Sequence, residues 1–344
     1  MNAETDNIRT LRGVMANHRL GVAIGAILVV CVVALPFFVG DYVLTAAIVG
    51  LHLVYFSQTW NIAAGYAGLF SLGHAAFVGL GAYTSTLLFV HAGISPWFGA
   101  LAGFVVAALF GAILGGIALR YRVRGVFFAV LTLAAADICR GLAENWDWIE
   151  GPVGIFITMA QDPGNMLFTS RAPYLYILLA MVLAMLWITW RLEHSRFGQS
   201  LLALKEDEDA AEASGVDTYR CKILAAALSG GLTALGGSFY AQFMLWISPE
   251  TVFSFEFTLN MMLGTMIGGA GTVLGPVFGS VLFSGISEIF RNLPFEETRY
   301  VNSAAKMVYA VILMGVMLYL PGGLMSLMTR RRRLAAEVVS RSSG

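Results

Sequence analysis

Long apolar runs separated by short polar stretches set the pattern of this chain. The first runs from Leu20 to Val39. Others follow at about 43–63, 66–91, 98–119, 126–143, 174–190, 222–246, 256–270, 273–290 and 304–321. About 20 consecutive apolar residues suffice to cross a bilayer as a helix. The pattern therefore predicts an all-α membrane protein, a polytopic bundle of about ten transmembrane helices. The two halves at 256–270 and 273–290 are short and joined only by Gly271–Thr272; counted as one, they give nine. A cleaved signal peptide at Leu20–Val39 is rejected, because the run is long, ends in LPFFVGDY and lacks a small-residue cleavage site.

One stretch breaks the pattern. Ser195–Lys222 is the long, highly charged segment between apolar spans, with Lys205, Glu206, Asp207, Glu208 and Asp209 in succession. Within it, Leu201–Ser214 places Leu201, Leu202, Leu204, Ala210, Ala211 and Ala213 at helical spacing. That predicts a short amphipathic helix, with Gly215 as its C-terminal stop. A solvated linker helix is the alternative.

Composition agrees with the apolar pattern. Hydrophobic residues make up 58% of the 344 and charged residues 12%, against about 25% charge in a soluble domain. Mean hydropathy is +0.75. Charge placement then chooses between nine and ten spans. With the N-terminus in the cytoplasm, ten spans put 16 of the 21 lysines and arginines inside: three N-terminal, three at 120–124, five at 191–222 and five at the C-terminus. Nine spans would put Arg330–Arg333 outside. Ten is preferred, with both termini cytoplasmic. The domains are then a tail at 1–19, a transmembrane unit at 20–325 with the charged loop 195–222, and a basic tail at 326–344. The basic tail reads as a stop-transfer cluster rather than a nucleic-acid site.

The small and polar residues inside the spans carry the remaining information. Gly99, Gly103, Ala107, Gly111 and Gly115 recur every fourth residue, and Gly264–Gly268, Gly271–Gly275 and Gly275–Gly279 repeat the spacing. In lipid, close backbone approach holds helices together, so these stripes read as packing seams. The stretch Asn61–Tyr83 mixes five glycines with Ser71 and His74, and Gln58 lies just before it. Polar groups in hydrocarbon face the protein interior or a water-filled path, and glycine clusters bend or break helices. Gln58, Asn61, Ser71 and His74 are candidates for a translocation path; an interhelical hydrogen-bond cluster is the alternative. Asp137 and Arg140, three residues apart, suit an intrahelical pair better than a proton relay. Glu288 reads as interfacial. The long loop 144–173, with Trp146 and Trp148, is predicted to be external.

Several chemistries are excluded. No GxxxxGK[ST] phosphate loop occurs, so ATP is not bound here by that device. Cys31, Cys139 and Cys221 share no ligand-like spacing. There are no paired carboxylates or histidine clusters at membrane depth for an enzyme.

Three motifs resemble one family, the permease subunits of bacterial branched-chain amino acid ABC importers, in particular the M-type member of the permease pair. The first is GYAGLFSLGHAAFVGLGAY within Asn61–Tyr83, the second RFGQSLLALKEDEDAAEASG at Arg196–Gly215, and the third YLPGGL at Tyr319–Leu324. RGVFFAVLTLA at Arg124–Ala134 fits as well, and the likeness covers about residues 40–325. Phe70 stands where many members carry Gln, and Lys205 where Arg is common. The resemblance implies that the charged loop is a short cytoplasmic coupling helix docking on an ATPase, through Leu204, Lys205, Glu206, Asp207, Asp209, Ala210, Ala211 and Gly215. It implies a homologous second permease, two ATP-binding subunits and a periplasmic substrate-binding protein as partners, in the bacterial inner membrane. ATP and magnesium would be used by the ATPases, with no cofactor on this chain and no catalytic residue. Two alternatives stay open: the same machine carrying urea, short amides or another small polar solute, and an ion-coupled transporter acting alone through Asp137 or Glu288.

Overall fold

The computed structural model describes residues 29–121, 123, 125–157, 162–291 and 323–325. The N-terminal tail, the start of the first span, Arg122, Arg124, the span at 304–321 and the basic tail lie outside them. The described chain is helical. Its elements in order are α1 (Val29–Phe38), α2 (Asp41–Trp60), a π-helical segment (Asn61–Tyr66), α3 (Ala75–Ala92), α4 (Pro96–Arg120), α5 (Val126–Glu144), β1 (Ile155–Phe156), α6 (Ala172–Glu193), α7 (Arg196–Glu206), α8 (Glu208–Ala213), α9 (Thr218–Met244), β2 (Trp246–Ile247), α10 (Pro249–Val252), α11 (Phe255–Gly268) and α12 (Gly275–Arg291). The two strands form one short antiparallel pair, with Ile155 opposite Ile247.

Among the described residues, six helices are long and apolar enough to cross a membrane: α2 with the π segment, α3, α4, α5, α6 and α9. The region 256–290 is two helices, α11 of 14 residues and α12 of 17. At 1.5 Å per residue they reach about 21 and 25 Å, short of a hydrocarbon core of about 30 Å. They pack as a tight antiparallel hairpin because glycines meet: a Cβ on Gly268 would strike the Gly275 carbonyl, and one on Gly279 the Gly264 carbonyl.

The expected span at 66–91 is shorter than its apolar run. Residues 67–74 are not helical, and α3 starts at Ala75. Gly68 takes φ +68°, where side chains are strained. Gly73 presses on the Thr132 backbone. The Thr132 hydroxyl oxygen accepts from the Leu72 and Gly73 amides at 3.1 and 3.3 Å, so backbone freed by the break finds partners in the protein.

The glycine stripe is the packed face of α4. Its buried residues are Pro96, Gly99, Gly103, Ala107, Gly111, Gly115 and Ala118. Its large side chains, among them Phe98, Leu101, Leu109 and Ile113, are exposed on the other side. A Cβ on Gly111 would come within 2.7 Å of the Ala226 carbonyl of α9, so only glycine allows this approach. On its other side α9 meets α3, where Gly237 abuts the Val78 carbonyl and Ser238 Oγ donates to the Gly81 carbonyl at 2.9 Å. The α3, α4 and α9 helices thus form the dense centre.

Chain direction sorts the connections between two ends. At one end lie the 61–74 break, the α4–α5 turn, the charged segment and the α11–α12 turn: Lys205 lies against Gly68, and Gly271 against Gly65. At the other, Ser95 Oγ donates to the Gly164 carbonyl at 2.6 Å, His91 stacks on Trp148, and the Ile157 amide donates to Leu245.

Candidate functional site

Two features hold the candidate residues: the charged segment and a set of buried polar side chains in and after α2.

The charged segment folds by capping. Ser195 Oγ accepts from the Gly198 amide at 3.0 Å and donates to the Leu192 carbonyl at 2.7 Å, which starts α7. The single helix expected over Leu201–Ser214 is instead two. Asp207 is extended, at φ −153° and ψ 109°, and its carboxylate accepts from the Asp209 and Ala210 amides, both at 3.0 Å. An aspartate that can cap a helix competes with continuing one, and here the cap wins. Gly215, at φ +87°, ends α8 where the sequence placed the stop. Asp217 then caps α9 through the Arg220 amide at 2.9 Å.

The two helices are two-sided. Leu201, Leu204 and Ala211 are buried against the bundle. Lys205, Glu206, Asp207, Asp209 and Gly215 are exposed. Ala210 and Ala213, expected on the apolar face, also lie on the exposed side, because the break at Asp207 resets the helical phase.

Gln58, Asn61, Ser71 and His74 are all buried, in two pairs. Gln58 and Asn61 grip the turn between α11 and α12. Gln58 Nε2 donates to the Val273 carbonyl, Asn61 Nδ2 donates to the Thr272 carbonyl at 3.0 Å, and Asn61 Oδ1 accepts from the Gly271 amide at 2.7 Å. Ser71 and His74 border a cavity of ≈ 20 Å³, shared with Thr132, Phe77 and Phe128. His74 Nε2 meets Ser229 Oγ at 2.9 Å, and Ser229 Oγ gives its proton to the Thr59 carbonyl at 2.6 Å. With that proton committed, Nε2 is the donor, so His74 Nδ1 is an acceptor facing inward with Ser71 Oγ. A volume of this size holds one water and no amino acid.

Other interior polar groups were not singled out from the sequence. His52 stacks on Phe56 with centroids 4.4 Å apart, and its Nε2 donates to the Gly236 carbonyl at 3.0 Å. Thr265 Oγ1 donates to the Ser57 carbonyl and Ser280 Oγ to Ser57 Oγ, both at 2.8 Å. Thr233 Oγ1 donates to Thr59 Oγ1 at 2.9 Å. Serine and threonine are too common in spans to stand out; what they share is a partner on another helix.

The remaining charges are elsewhere. Asp137 pairs with Arg140 at 3.4 Å within α5, and Arg140 with Glu144 at 3.8 Å, all on a partly exposed face. Glu288 accepts from the Tyr42 hydroxyl. Among the described residues, no group of His, Cys, Asp and Glu could hold a metal ion.

The family model for the permease component of branched-chain amino acid transport systems matches residues 42–320. The chain belongs to this family. The permease is 27% identical over 327 residues to the high-affinity branched-chain amino acid transport system permease protein LivM of Escherichia coli K12, covering 88% of this chain and 74% of that one. It is 28% identical to LivM of Salmonella typhimurium LT2 over the same shares. To the autoinducer 2 import system permease protein LsrC of Klebsiella pneumoniae it is 27% identical, over 66% of this chain and 64% of that one. No solved structure matches. The permease is thus a multi-pass inner-membrane component of an ABC importer.

Proposed function

We propose that this permease passes branched-chain amino acids (leucine, isoleucine and valine) across the inner membrane, driven by ATP hydrolysis on partner subunits. The observation that carries the reading is the likeness to LivM along 88% of the chain. The assembly pairs it with a homologous permease, two ATP-binding subunits and a periplasmic substrate-binding protein. ATP and magnesium act on the ATPases, and this chain holds no cofactor. Both termini are cytoplasmic, so the end bearing α7 and α8 faces the ATPases.

The geometry supports a division of labour in that segment. Glu206, Asp207 and Asp209 point outward and meet the ATPase, with Lys205, Ala210 and Gly215 on the same side. Leu204 and Ala211 are buried inward and carry movement into the bundle as a rigid body, the kind of change that packed interfaces transmit. Lys205 extends across Gly68 towards Gly271, which joins the segment to the break at 67–74 and the α11–α12 turn. Gln58, Asn61, Ser71 and His74 border the path that opens when those elements separate.

The likeness to autoinducer 2 permeases over a smaller share of the chain favours one other reading, the same machine carrying a different small polar solute. Reconstituted complex decides both questions. Uptake stops when the ATPase subunits are catalytically dead; uptake that persists sinks the ABC reading. Competition among leucine, isoleucine, valine, urea and autoinducer 2 identifies the cargo, and failure of the three amino acids to compete sinks the substrate assignment.

A further inference from the structure

Lys222 stands apart among the charged residues. It is 7% exposed, and no other lysine, arginine, aspartate or glutamate among the described residues is buried. Its ammonium lies 2.6 Å from the Glu208 carboxylate, whose side chain is 18% exposed. Glu208 is the first residue of α8 and Lys222 sits in the second turn of α9. The pair therefore bridges the outward-facing segment and the helix at the centre of the bundle. The apolar contacts of α8 itself are slight, since Ala211 is its one buried residue.

The surroundings are unusual for an ion pair. It borders a cavity of ≈ 220 Å³ lined also by Gly68 and Leu69 of the 67–74 break, by Val123, Gly125 and Phe128 at the α4–α5 turn, and by Lys205. Three connections at one end, the 67–74 break, the α4–α5 turn and the charged segment, thus meet around one bond. An apolar pair of similar size would serve stability as well as a buried ion pair, often better. What the ion pair adds is direction: the attraction acts between two fixed points and weakens as they separate, so it resists being pulled apart, whereas apolar surfaces slide at little cost.

We infer that the Lys222–Glu208 pair is the strut through which movement of α8 reaches α9, and that its integrity sets how much substrate crosses per ATP hydrolysed. These are positioning residues, and the inference rests on the docking of the charged segment on an ATPase. When α8 is drawn outward, the strut pulls the start of α9. Because α9 packs on α3 and α4 through glycine seams, the pull arrives at the bundle centre without slack. The cavity beside the pair leaves room for that displacement.

The test uses the complete importer in proteoliposomes, measuring leucine imported per ATP hydrolysed alongside melting temperature and ATPase recruitment. Lys222→Met and Glu208→Gln each lower the transport ratio by about fivefold or more, the low end of coupling between sites, while hydrolysis continues. The reversed pair, Lys222→Glu with Glu208→Lys, restores most of the ratio. The apolar pair, Lys222→Met with Glu208→Leu, restores melting temperature and leaves the ratio low. A parental ratio in the single variants, or recovery of the ratio in the apolar pair, overturns the strut. If a single variant does not fold, the reversed and apolar pairs still decide. Failure of the docking reading shows separately, as unchanged ATPase recruitment when Glu206 and Asp209 are reversed to lysine.

Discussion

Asn61 and Gly271, 210 residues apart in the chain, are joined by a hydrogen bond of 2.7 Å from the Gly271 amide to the Asn61 side-chain oxygen. The Asn61 side-chain nitrogen donates to the Thr272 carbonyl at 3.0 Å, so one side chain satisfies two backbone groups of a half-buried turn. Asn61→Ala removes both bonds, at up to about 1–3 kcal/mol for each group. Asn61→Asp is worse, because a buried carboxylate would face the Thr272 carbonyl with no proton to give. Melting temperatures in detergent should fall in the order parent, Ala, Asp, and ATP-driven uptake with them. Equal stability of the Asp variant and the parent would show that the turn is held by other means.

Glycines on one helix are not equivalent. A Cβ on Gly111 would meet the Ala226 carbonyl at 2.7 Å, which is backbone and cannot turn aside. A Cβ on Gly116 meets the Tyr219 hydroxyl at 3.6 Å, an ordinary contact. Gly111→Ala should destabilise by about 1–3 kcal/mol, as overpacking does. Gly116→Ala should be neutral or stabilise by up to about 1 kcal/mol through helix propensity. A thermal shift series on purified permease separates the two, and a loss at both positions would contradict the packing.

The outward segment depends on two backbone devices. Asp207→Ala removes the cap of α8, a change worth about 1 kcal/mol, whereas Asp207→Asn keeps an acceptor. Gly215 sits at φ +87° with no atom near an added Cβ, so its cost is conformational alone. Asn there should be tolerated and Pro, fixed near φ −65°, should not. Co-purification of the ATPase subunits is the measurement: Gly215→Pro and charge reversal at Glu206 or Asp209 should lose them while membrane insertion stays normal. Retention of the ATPases in all three would place the docking surface elsewhere.

Ser71 and His74 make a finer prediction. Their inward-facing polar atoms and the ≈ 20 Å³ between them suit one ordered water that donates to His74 Nδ1. A high-resolution map should show it. Ser71→Val should remove the water; its persistence would mean that other groups hold it.

The extent of several apolar runs and the glycine stripe of α4 were legible because both depend on local spacing. The run at 98–119 became Pro96–Arg120, and that at 174–190 became Ala172–Glu193. The split at Asp207 was less visible: helical spacing of leucines and alanines continues across it, and an aspartate can either continue a helix or cap the next one. For Gln58 and Asn61 an interhelical hydrogen-bond cluster was one of the two readings open, but their partners were not readable. A polar residue in a span announces that it needs a partner, but these partners are main-chain atoms of a glycine-rich turn, which no side-chain pattern marks.

The α11–α12 hairpin has a consequence for how the protein is made. Neither helix spans the bilayer by length, and the peptide groups at its tip are matched by side chains synthesised about two hundred residues earlier. A nascent hairpin inserted alone would leave the Gly271 amide and the Thr272 carbonyl without the partners they have in the folded protein. The early helices are therefore expected to remain open to a late arrival, and an internal deletion within α2 should leave α11 and α12 exposed to membrane quality control even where their own residues are intact.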